Sequence, residues 1–261
     1  MISPKKKGMG LHMEPVYSRI RERARRVVAD FPEPVFYQDF QEESARSRRV
    51  FETHPVLRKI KAEAYPRMDN DLGHGVRHVE AVAIDAGTLV MIEGGKMGLP
   101  PTELARKAVL GHCAGILHDI KRKEKNHAEK GALFAGKALQ NHPFSPEEIR
   151  DICRAIRLHT AFKENPRPVS GALVADCLHD ADKFRWGPDN FTDTVWHMAS
   201  FFKTPLSRFI EFYPAGMESL RVIRGAFRTE TGRKYGPGFI DAGISAGEKI
   251  FKIIRNEFRD A

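Results

Sequence analysis

Helix signals run along this sequence almost without interruption. Residues 15–28 carry apolar side chains at helical spacing. Ser145-Pro146-Glu147-Glu148 places Ser at an N-cap, Pro at the first helical position and Glu at the third. Runs that alternate β-branched and polar residues, which would indicate strands, are absent. The sequence therefore predicts an all-α helical bundle.

Proline and glycine residues divide the predicted helices. Pro32 and Pro34 break the first helix, Gly94-Gly95 is expected to end a central one, and Asn126 is expected to cap another. The other predicted helices cover residues 37–49, 55–64, 74–92, 101–117, 145–159, 169–183, 188–203, 205–213, 215–230 and 238–258. Residues 229–238 are predicted to form a loop that could cover a site.

The composition indicates a globular chain. Its 261 residues, 41% of them hydrophobic, suffice for one large domain, or for one domain with an elaborated flank. No run of about 18 apolar residues is present, and the lysines at 5–7 precede no apolar stretch, so neither a membrane span nor a secretory signal is predicted. Cys113, Cys153 and Cys177 form no Cys-x-x-Cys pair, which favours reduced thiols and a cytoplasmic protein.

Positive charge is concentrated outside the central part of the chain. The net charge is +9, from 43 basic and 34 acidic residues, and residues 19–26 and 46–49 are rich in arginine. Such stripes can bind nucleic acid. No aromatic-glycine pattern of a single-strand-binding module lies beside them, so a solvated helix face is the favoured interpretation.

Four residues far apart in the chain, His78, His118, Asp119 and Asp182, stand in strongly apolar segments. A lone histidine on an apolar helix face is usually a core residue, and a lone His-Asp pair can be a helix C-cap. Buried charges are costly unless they are paired or bound to metal. Several helices that each present such groups to a core form the pattern with which a bundle builds a metal site.

The segments around these residues resemble the motifs of the HD superfamily of metal-dependent phosphohydrolases, over residues 70–185. The matching strings are His-Gly-Val-Arg-His-Val-Glu-Ala-Val from His74, Ile-Leu-His-Asp-Ile from Ile116, Asn-His-Ala-Glu-Lys-Gly-Ala from Asn126, Ile-Arg-Leu-His-Thr from Ile156 and Asp-Ala-Asp-Lys-Phe from Asp180. The resemblance implies an HD-domain helical bundle with additional flanking helices. Residues 1–69 would be an N-terminal helical flank, 70–185 the metal-binding core, and 186–261 a helical extension packed on it.

The resemblance also implies a ligand set. His78, His118, Asp119 and Asp182 would hold one metal ion, and Asp119 would bridge to a second ion held by His127 and His159. Imidazole and carboxylate ligands suit a divalent Fe, Mn, Zn, Co or Mg ion. We therefore expect a divalent metal cofactor, with two ions.

Other residues compete for some of these roles. His179-Asp180 is a second dyad, but the Ala181-Asp182-Lys183 context favours Asp182. His112 lies six residues before His118 and would point to another helix face. His74, one turn before His78, could contact substrate or pack.

Basic residues near the motifs are candidates to contact a phosphate. Many members of the superfamily follow the dyad with an apolar residue, glycine and lysine, whereas Ile120-Lys121-Arg122-Lys123 stands here. Arg122 is expected to replace the usual lysine, because a guanidinium can grip phosphate with two hydrogen bonds. We predict Asp119, Arg122 and Lys121 as catalytic residues. The predicted substrate contacts are His74, Arg77, Lys130, Lys183 and Arg233, some of which could equally be structural or solvated.

The resemblance implies hydrolysis of a phosphate ester, in a small nucleotide-like or phosphorylated metabolite, by a metal-activated hydroxide. The same six ligands serve mixed-valent diiron oxygenases, such as myo-inositol oxygenase and phosphonate-cleaving enzymes, and the ligands do not separate the two activities. A third alternative is a non-catalytic module that binds RNA or a partner. We favour the hydrolase because basic residues crowd the predicted site loops. We expect an anionic small-molecule substrate and no membrane association; a homo-oligomer stays open, and nucleic acid is the less favoured partner.

An aromatic-rich stretch near the C-terminus has two interpretations. Phe201, Phe202, Phe209, Phe212 and Tyr213 could line a nucleobase pocket, but core packing or a dimer face is favoured.

Overall fold

The structure is a computed structural model that describes residues 13–68, 73, 75–160 and 172–258. These residues form twelve α-helices and contain no strand, which confirms the all-α prediction. The helices are α1 (Pro15–Ala29), α2 (Val35–Asp39), α3 (Gln41–Thr53), α4 (Pro55–Ala64), α5 (Val76–Lys96), α6 (Pro101–Leu117), α7 (His127–Ala138), α8 (Pro146–Leu158), α9 (Leu173–Phe184), α10 (Thr194–Phe201), α11 (Leu206–Ile223) and α12 (Glu230–Glu257). Three short 3₁₀ helices cover Tyr65–Arg67, Leu139–Asn141 and Pro188–Phe191.

The centre of the bundle is α5. From Val79 to Ile92 almost every residue of this helix is buried, as expected for a helix surrounded by others. Helices α3, α6 and α9 pack around it, and α7 and α8 pair beside α6 and α9. A single hydrophobic core includes residues from α1 to α12. The division into residues 1–69, 70–185 and 186–261 stays a prediction.

Several helix ends differ from the predicted ones. α5 continues past Gly94-Gly95 to Lys96, because the left-handed turn is made by Gly98, with φ +71°. The amides of Gly98 and Leu99 donate to Gly95 and Gly94 and satisfy the last carbonyls of the helix. The capping box of Ser145 and Glu148 is confirmed, whereas the side chain of Asn126 makes no cap hydrogen bond.

Two predicted breaks near the C-terminus are wrong. α11 runs through Pro214, and α12 runs through Pro237 and includes most of the residues predicted to form a loop. A proline inside a helix removes one backbone hydrogen bond, but tertiary packing continues the helix on both sides. Tyr213 and Met217, which flank Pro214, are both buried. Phe239 stacks on Phe184 with ring centroids 4.2 Å apart.

Two other predicted helices are interrupted. The helix predicted for residues 37–49 is split between α2 and α3 at Phe40, which has φ −119° and ψ 39°. The helix predicted for residues 188–203 consists of the 3₁₀ helix Pro188–Phe191 and the shorter α10.

The arginines of α1 hold the two ends of the chain together. Arg23 pairs with Glu257 at 2.5 Å, and Arg25 pairs with Asp193 at 2.5 Å. Arg19 lies over the ring of Phe258, 5.5 Å from its centroid. Because these guanidinium groups face protein partners, the stripe on α1 serves at least partly as a clamp between helices.

Two further predictions concern reduced cysteine thiols and the absence of a membrane-spanning helix. Cys113, Cys153 and Cys177 are free thiols, and burial raises the pKa of each of them. Within the part of the chain that the structure describes, no helix is both long enough and apolar enough to cross a membrane.

Candidate metal centre

Five helix ends meet at one place in the bundle. His78 lies in the first turn of α5, His118 and His159 lie at the C-terminal ends of α6 and α8, and His127 opens α7. Asp182 lies in the last turn of α9. The negative dipole ends of α6, α8 and α9 and the positive ends of α5 and α7 therefore face the same point, and the three negative ends outnumber the two that oppose a cation there.

The first group of donor atoms comes from His78, His118, Asp119 and Asp182. Nε2 of His78 lies 3.3 Å from Nε2 of His118 and 3.3 Å from Oδ1 of Asp182. Nε2 of His118 lies 3.6 Å from Oδ2 of Asp119 and 3.7 Å from Oδ1 of Asp182. Oδ2 of Asp119 lies 3.9 Å from Nε2 of His78. The structure thus brings together the four residues predicted to form one site.

The second group uses the other oxygen of Asp119. Oδ1 lies 3.5 Å from Nε2 of His127 and 3.5 Å from Nε2 of His159. The Arg122 guanidinium approaches the same oxygen at 3.7 Å and donates to Nε2 of His127 at 3.1 Å. The carboxylate of Asp119 therefore faces two groups of donors, one from each oxygen.

The two histidines at helix C-termini are oriented in the same way. Nδ1 of His118 donates to the carbonyl of Gly115 at 2.7 Å, and Nδ1 of His159 donates to the carbonyl of Ile156 at 2.6 Å. A carbonyl only accepts, so Nδ1 of each ring carries a hydrogen and Nε2 faces the centre, where it can bind a metal ion once it is unprotonated. Backbone hydrogen bonds of this kind are common behind metal-bound histidines.

The charges of the centre are strongly coupled. Burial raises the pKa of Asp119 and of Asp182, but the neighbouring His118 outweighs burial and holds both well below their usual range. Burial lowers the pKa of His118, and the charges of Asp119 and Asp182 together raise it to about 9. In the absence of another cation, a proton on His118 thus balances the two carboxylates.

The residues fit a metal ion. Oδ1 of Asp119 is buried and has no hydrogen-bond partner within the part of the chain that the structure describes, although buried carboxylate oxygens are normally satisfied. Two donors that each lie about 2.1 Å from one ion are about 3.0 to 3.4 Å apart. The separations of 3.3 to 3.9 Å in the first group are close to this or slightly longer. The buried His and Asp groups could hold a metal ion.

A close contact between α5 and α6 positions His118. A Cβ on Gly115 would lie 2.8 Å from the backbone nitrogen of Ala83, nearer than real contacts allow. We expect Gly115→Ala to destabilise the fold by about 1–3 kcal/mol despite the better helix propensity of alanine, and to weaken metal binding. Urea unfolding and metal content would measure both effects.

The matched control for this prediction is Gly111→Ala, four residues earlier in α6. Its nearest neighbour would be the flexible side chain of Val90 at 3.2 Å. Equal stability of the two variants would show that the contact at Gly115 does not determine the spacing of α5 and α6.

The rival aspartate has a structural position. Asp180 is fully buried and accepts hydrogen bonds from the backbone amides of Arg228 and Thr229 at 2.8 to 3.1 Å. It also accepts from Nδ1 of His179 and from the hydroxyl of Thr229. Asp180 therefore anchors the segment that begins α12 and does not point into the centre.

The rival histidine is also distant from the centre. His112 is fully buried beside Phe51, and burial lowers its pKa to about 3. Its placement agrees with the predicted turn to a different helix face.

The basic loop after Asp119 is only partly directed at the centre. Lys121 and Lys130 each lie 3.0 Å from Glu124, and Lys123 lies over the ring of Phe201. Among the basic side chains of this loop, that of Arg122 reaches the donor atoms, because its guanidinium donates to Nε2 of His127. The predicted roles of Lys121 and Lys130 are therefore not supported by their placement, because Glu124 takes both ammonium groups.

Three other predicted substrate contacts lie elsewhere, and a fourth is not described. The side chain of Arg77 is 91% exposed and lies 3.8 Å from Asp193. Lys183 is fully buried against His179, one turn earlier on α9. Arg233, in the first turn of α12, donates to the carbonyl of Arg228. His74 lies outside the described residues.

A cavity of about 720 Å³ opens from the centre. His78, His127, His159, Asp182 and Arg122 border it on one side. The aromatic stretch borders the other side through Phe202, Phe209, Phe212 and Tyr213. Tyr213 also belongs to the hydrophobic core and Phe209 packs against it, so the predicted core packing is confirmed for these two residues.

Arg185 lines the same cavity and was not predicted. It lies three residues after Asp182, on the same face of α9, and this spacing was the signal that could have identified it. Its guanidinium donates to Asp85 at 2.7 Å, to the hydroxyl of Tyr37 and to Asp189.

No protein-family model, curated protein or solved structure matches this chain.

Proposed function

We propose that this chain is a metal-dependent phosphohydrolase of the HD type, which cleaves a phosphate ester of a small molecule. The observation that supports this most is the arrangement around Asp119. Its two carboxylate oxygens face different donor groups, which together contain all six residues that the HD motifs imply.

We infer two divalent ions. His78, His118, Asp119 and Asp182 would hold the first ion, and Asp119, His127 and His159 would hold the second. Divalent ions in such a pair lower the pKa of water and polarise phosphoryl oxygens. The carbonyls that accept the Nδ1 hydrogens of His118 and His159 leave Nε2 of each ring as the atom that would bind an ion.

The chain also offers a positively charged side chain, that of Arg122, that can contact the substrate. Arg122 borders both the donor atoms and the cavity, and its side chain is 30% exposed. A guanidinium at this position can donate two parallel hydrogen bonds to phosphate oxygens and stabilise charge that builds on them. The guanidinium contacts Asp119 and His127, and its five N–H donors allow it also to donate to an anionic ligand in the cavity.

The experiment that tests the function measures phosphate release from p-nitrophenyl phosphate. Protein freed of metal would be reloaded with Mn²⁺, Co²⁺ or Mg²⁺ and assayed in air and without oxygen. We expect turnover that requires a divalent ion and is equal in both atmospheres. A hydroxyalkylphosphonate assayed in parallel tests the alternative, because phosphate release from it that requires iron and dioxygen would support the diiron oxygenase. No phosphate release from p-nitrophenyl phosphate with any ion would contradict the proposed hydrolase.

A further inference from the structure

The cavity beside the candidate metal centre has a charged end and an apolar end. The charged end holds the His and Asp donors and Arg122. The apolar end lies between the 3₁₀ helix Pro188–Phe191 and helices α10 and α11. An occupant that fills both ends must be amphipathic.

The apolar end is built from one face of α11 and its neighbours. Phe209, Phe212, Tyr213, Gly216, Met217 and Leu220 recur at helical spacing and all line the cavity. Phe191, Val195, Met198 and Phe202 face them. The wall therefore offers mainly aromatic and aliphatic contacts.

Three polar side chains in this part of the wall are already hydrogen-bonded to the protein. The hydroxyl of Tyr213 donates to the carbonyl of Gly247 at 2.9 Å, and that of Thr194 donates to the carbonyl of Gly73 at 3.2 Å. Arg208 donates to Glu211 at 2.8 Å. A sugar or a nucleobase here would meet mainly apolar side chains, which would leave many of its own polar groups poorly paired.

Two aromatic side chains of the wall are unusually exposed. Phe202 is 64% exposed and Phe212 is 54% exposed, and both border the cavity. An apolar ligand would remove this surface from water.

From these observations we infer that the substrate is a phosphate monoester of an apolar alcohol, such as an alkyl or prenyl alcohol. The phosphate would lie at the donor atoms beside Arg122, and the hydrocarbon would extend along α11. This inference rests on the proposed function, since it assigns the substrate class of the same site.

The first test compares three substrates on the metal-loaded full-length chain: decyl phosphate, butyl phosphate and ribose 5-phosphate. Each buried methylene favours binding by up to about fourfold. We expect kcat/KM for decyl phosphate to exceed that for butyl phosphate by at least about tenfold, with ribose 5-phosphate lowest. A higher kcat/KM for ribose 5-phosphate than for decyl phosphate would overturn the inference.

A variant tests the location of the hydrocarbon. A Cβ on Gly216 would meet no atom within 4 Å, and this residue lines the cavity, so Gly216→Leu adds an apolar side chain to the wall at a position with open space around its Cβ. We expect it to lower the ratio of kcat/KM for decyl to butyl phosphate by about tenfold. Gly238→Leu is the matched control, because Gly238 is also in a helix and also has open space, but is not in the cavity wall. An equal ratio in both variants would place the hydrocarbon elsewhere.

A binding measurement makes the inference independent of turnover and of the variant's folding. The chain has two tryptophans; Trp186 lines the cavity and Trp196 is fully buried. Decylphosphonate, which is not hydrolysed, should change the fluorescence of the unmodified protein. The concentration needed for half of this change should be at least about tenfold lower than the one needed with butylphosphonate. Equal concentrations for the two would count against an apolar pocket. Metal-dependent turnover of all three esters without a chain-length effect would overturn this inference alone, whereas no turnover of any ester would contradict the proposed function as well.

Discussion

Replacing Asp119 with alanine should remove bound metal and abolish hydrolysis while the fold persists. The two oxygens of this carboxylate face both donor groups, so one substitution removes a ligand from each. Because the ions would supply several kcal/mol of transition-state stabilisation, kcat/KM should fall by at least about a thousandfold. Metal content by mass spectrometry and phosphate release would measure the two effects.

The fold should survive this change because Asp119 supports little else. Among the described residues its Oδ1 has no hydrogen-bond partner, and Asp182 remains beside His118. His159→Ala is the informative comparison, since it should leave about one ion per chain where the unmodified protein holds two. Asp151→Ala, which removes a surface ion pair with Lys107, should change neither quantity. An undiminished metal content in Asp119→Ala would show that the metal is not bound at this centre.

The two neighbouring aspartates of α9 should have opposite mutant phenotypes. Asp180→Ala should lower the free energy of unfolding by about 3 kcal/mol, since a buried carboxylate loses charge-assisted hydrogen bonds to two backbone amides and a hydroxyl. Thr229, which receives this anchor, also caps α12 by accepting from the amide of Gly232. Urea unfolding of the metal-free protein would measure the loss.

Asp182→Ala should instead lose metal with a much smaller change in the stability of the metal-free protein. Its carboxylate faces His78 and His118, and in the described ranges it accepts no hydrogen bond from the backbone. The two variants therefore distinguish a metal ligand from a residue that stabilises the fold, although the two residues lie only two positions apart on one helix. Metal loss in Asp180→Ala at unchanged stability would reverse the assignment.

Local sequence determined the helix boundaries that depend on capping residues and on apolar periodicity. Ser145 and Glu148 form their capping box, and helices α4 and α6 begin and end at the predicted residues. Caps and apolar periodicity act within one or two turns, so a single sequence carries their full signal. Pro214 and Pro237 could not be placed in this way, because packing around Tyr213 and Phe239 outweighs the local preference against proline.

The chemistry of the candidate centre was also available from sequence, but its geometry was not. His and Asp residues in apolar segments are costly without partners, which pointed to a buried site, and the resemblance to the HD motifs selected His78, His118, Asp119 and Asp182 as a set. Their convergence, with the further donors His127 and His159, depends on how five helix ends meet.

Only the tertiary structure decided which charged groups face that centre. Lys121 and Arg122 are adjacent in sequence, yet Glu124 takes the ammonium while the guanidinium reaches His127. Asp180 and Asp182 are the same residue type and lie two positions apart, yet Asp180 anchors α12 and Asp182 faces His78. Residue type determines what a side chain can bind. The partner that it meets is set by helix packing over long sequence separations, which a local pattern does not contain.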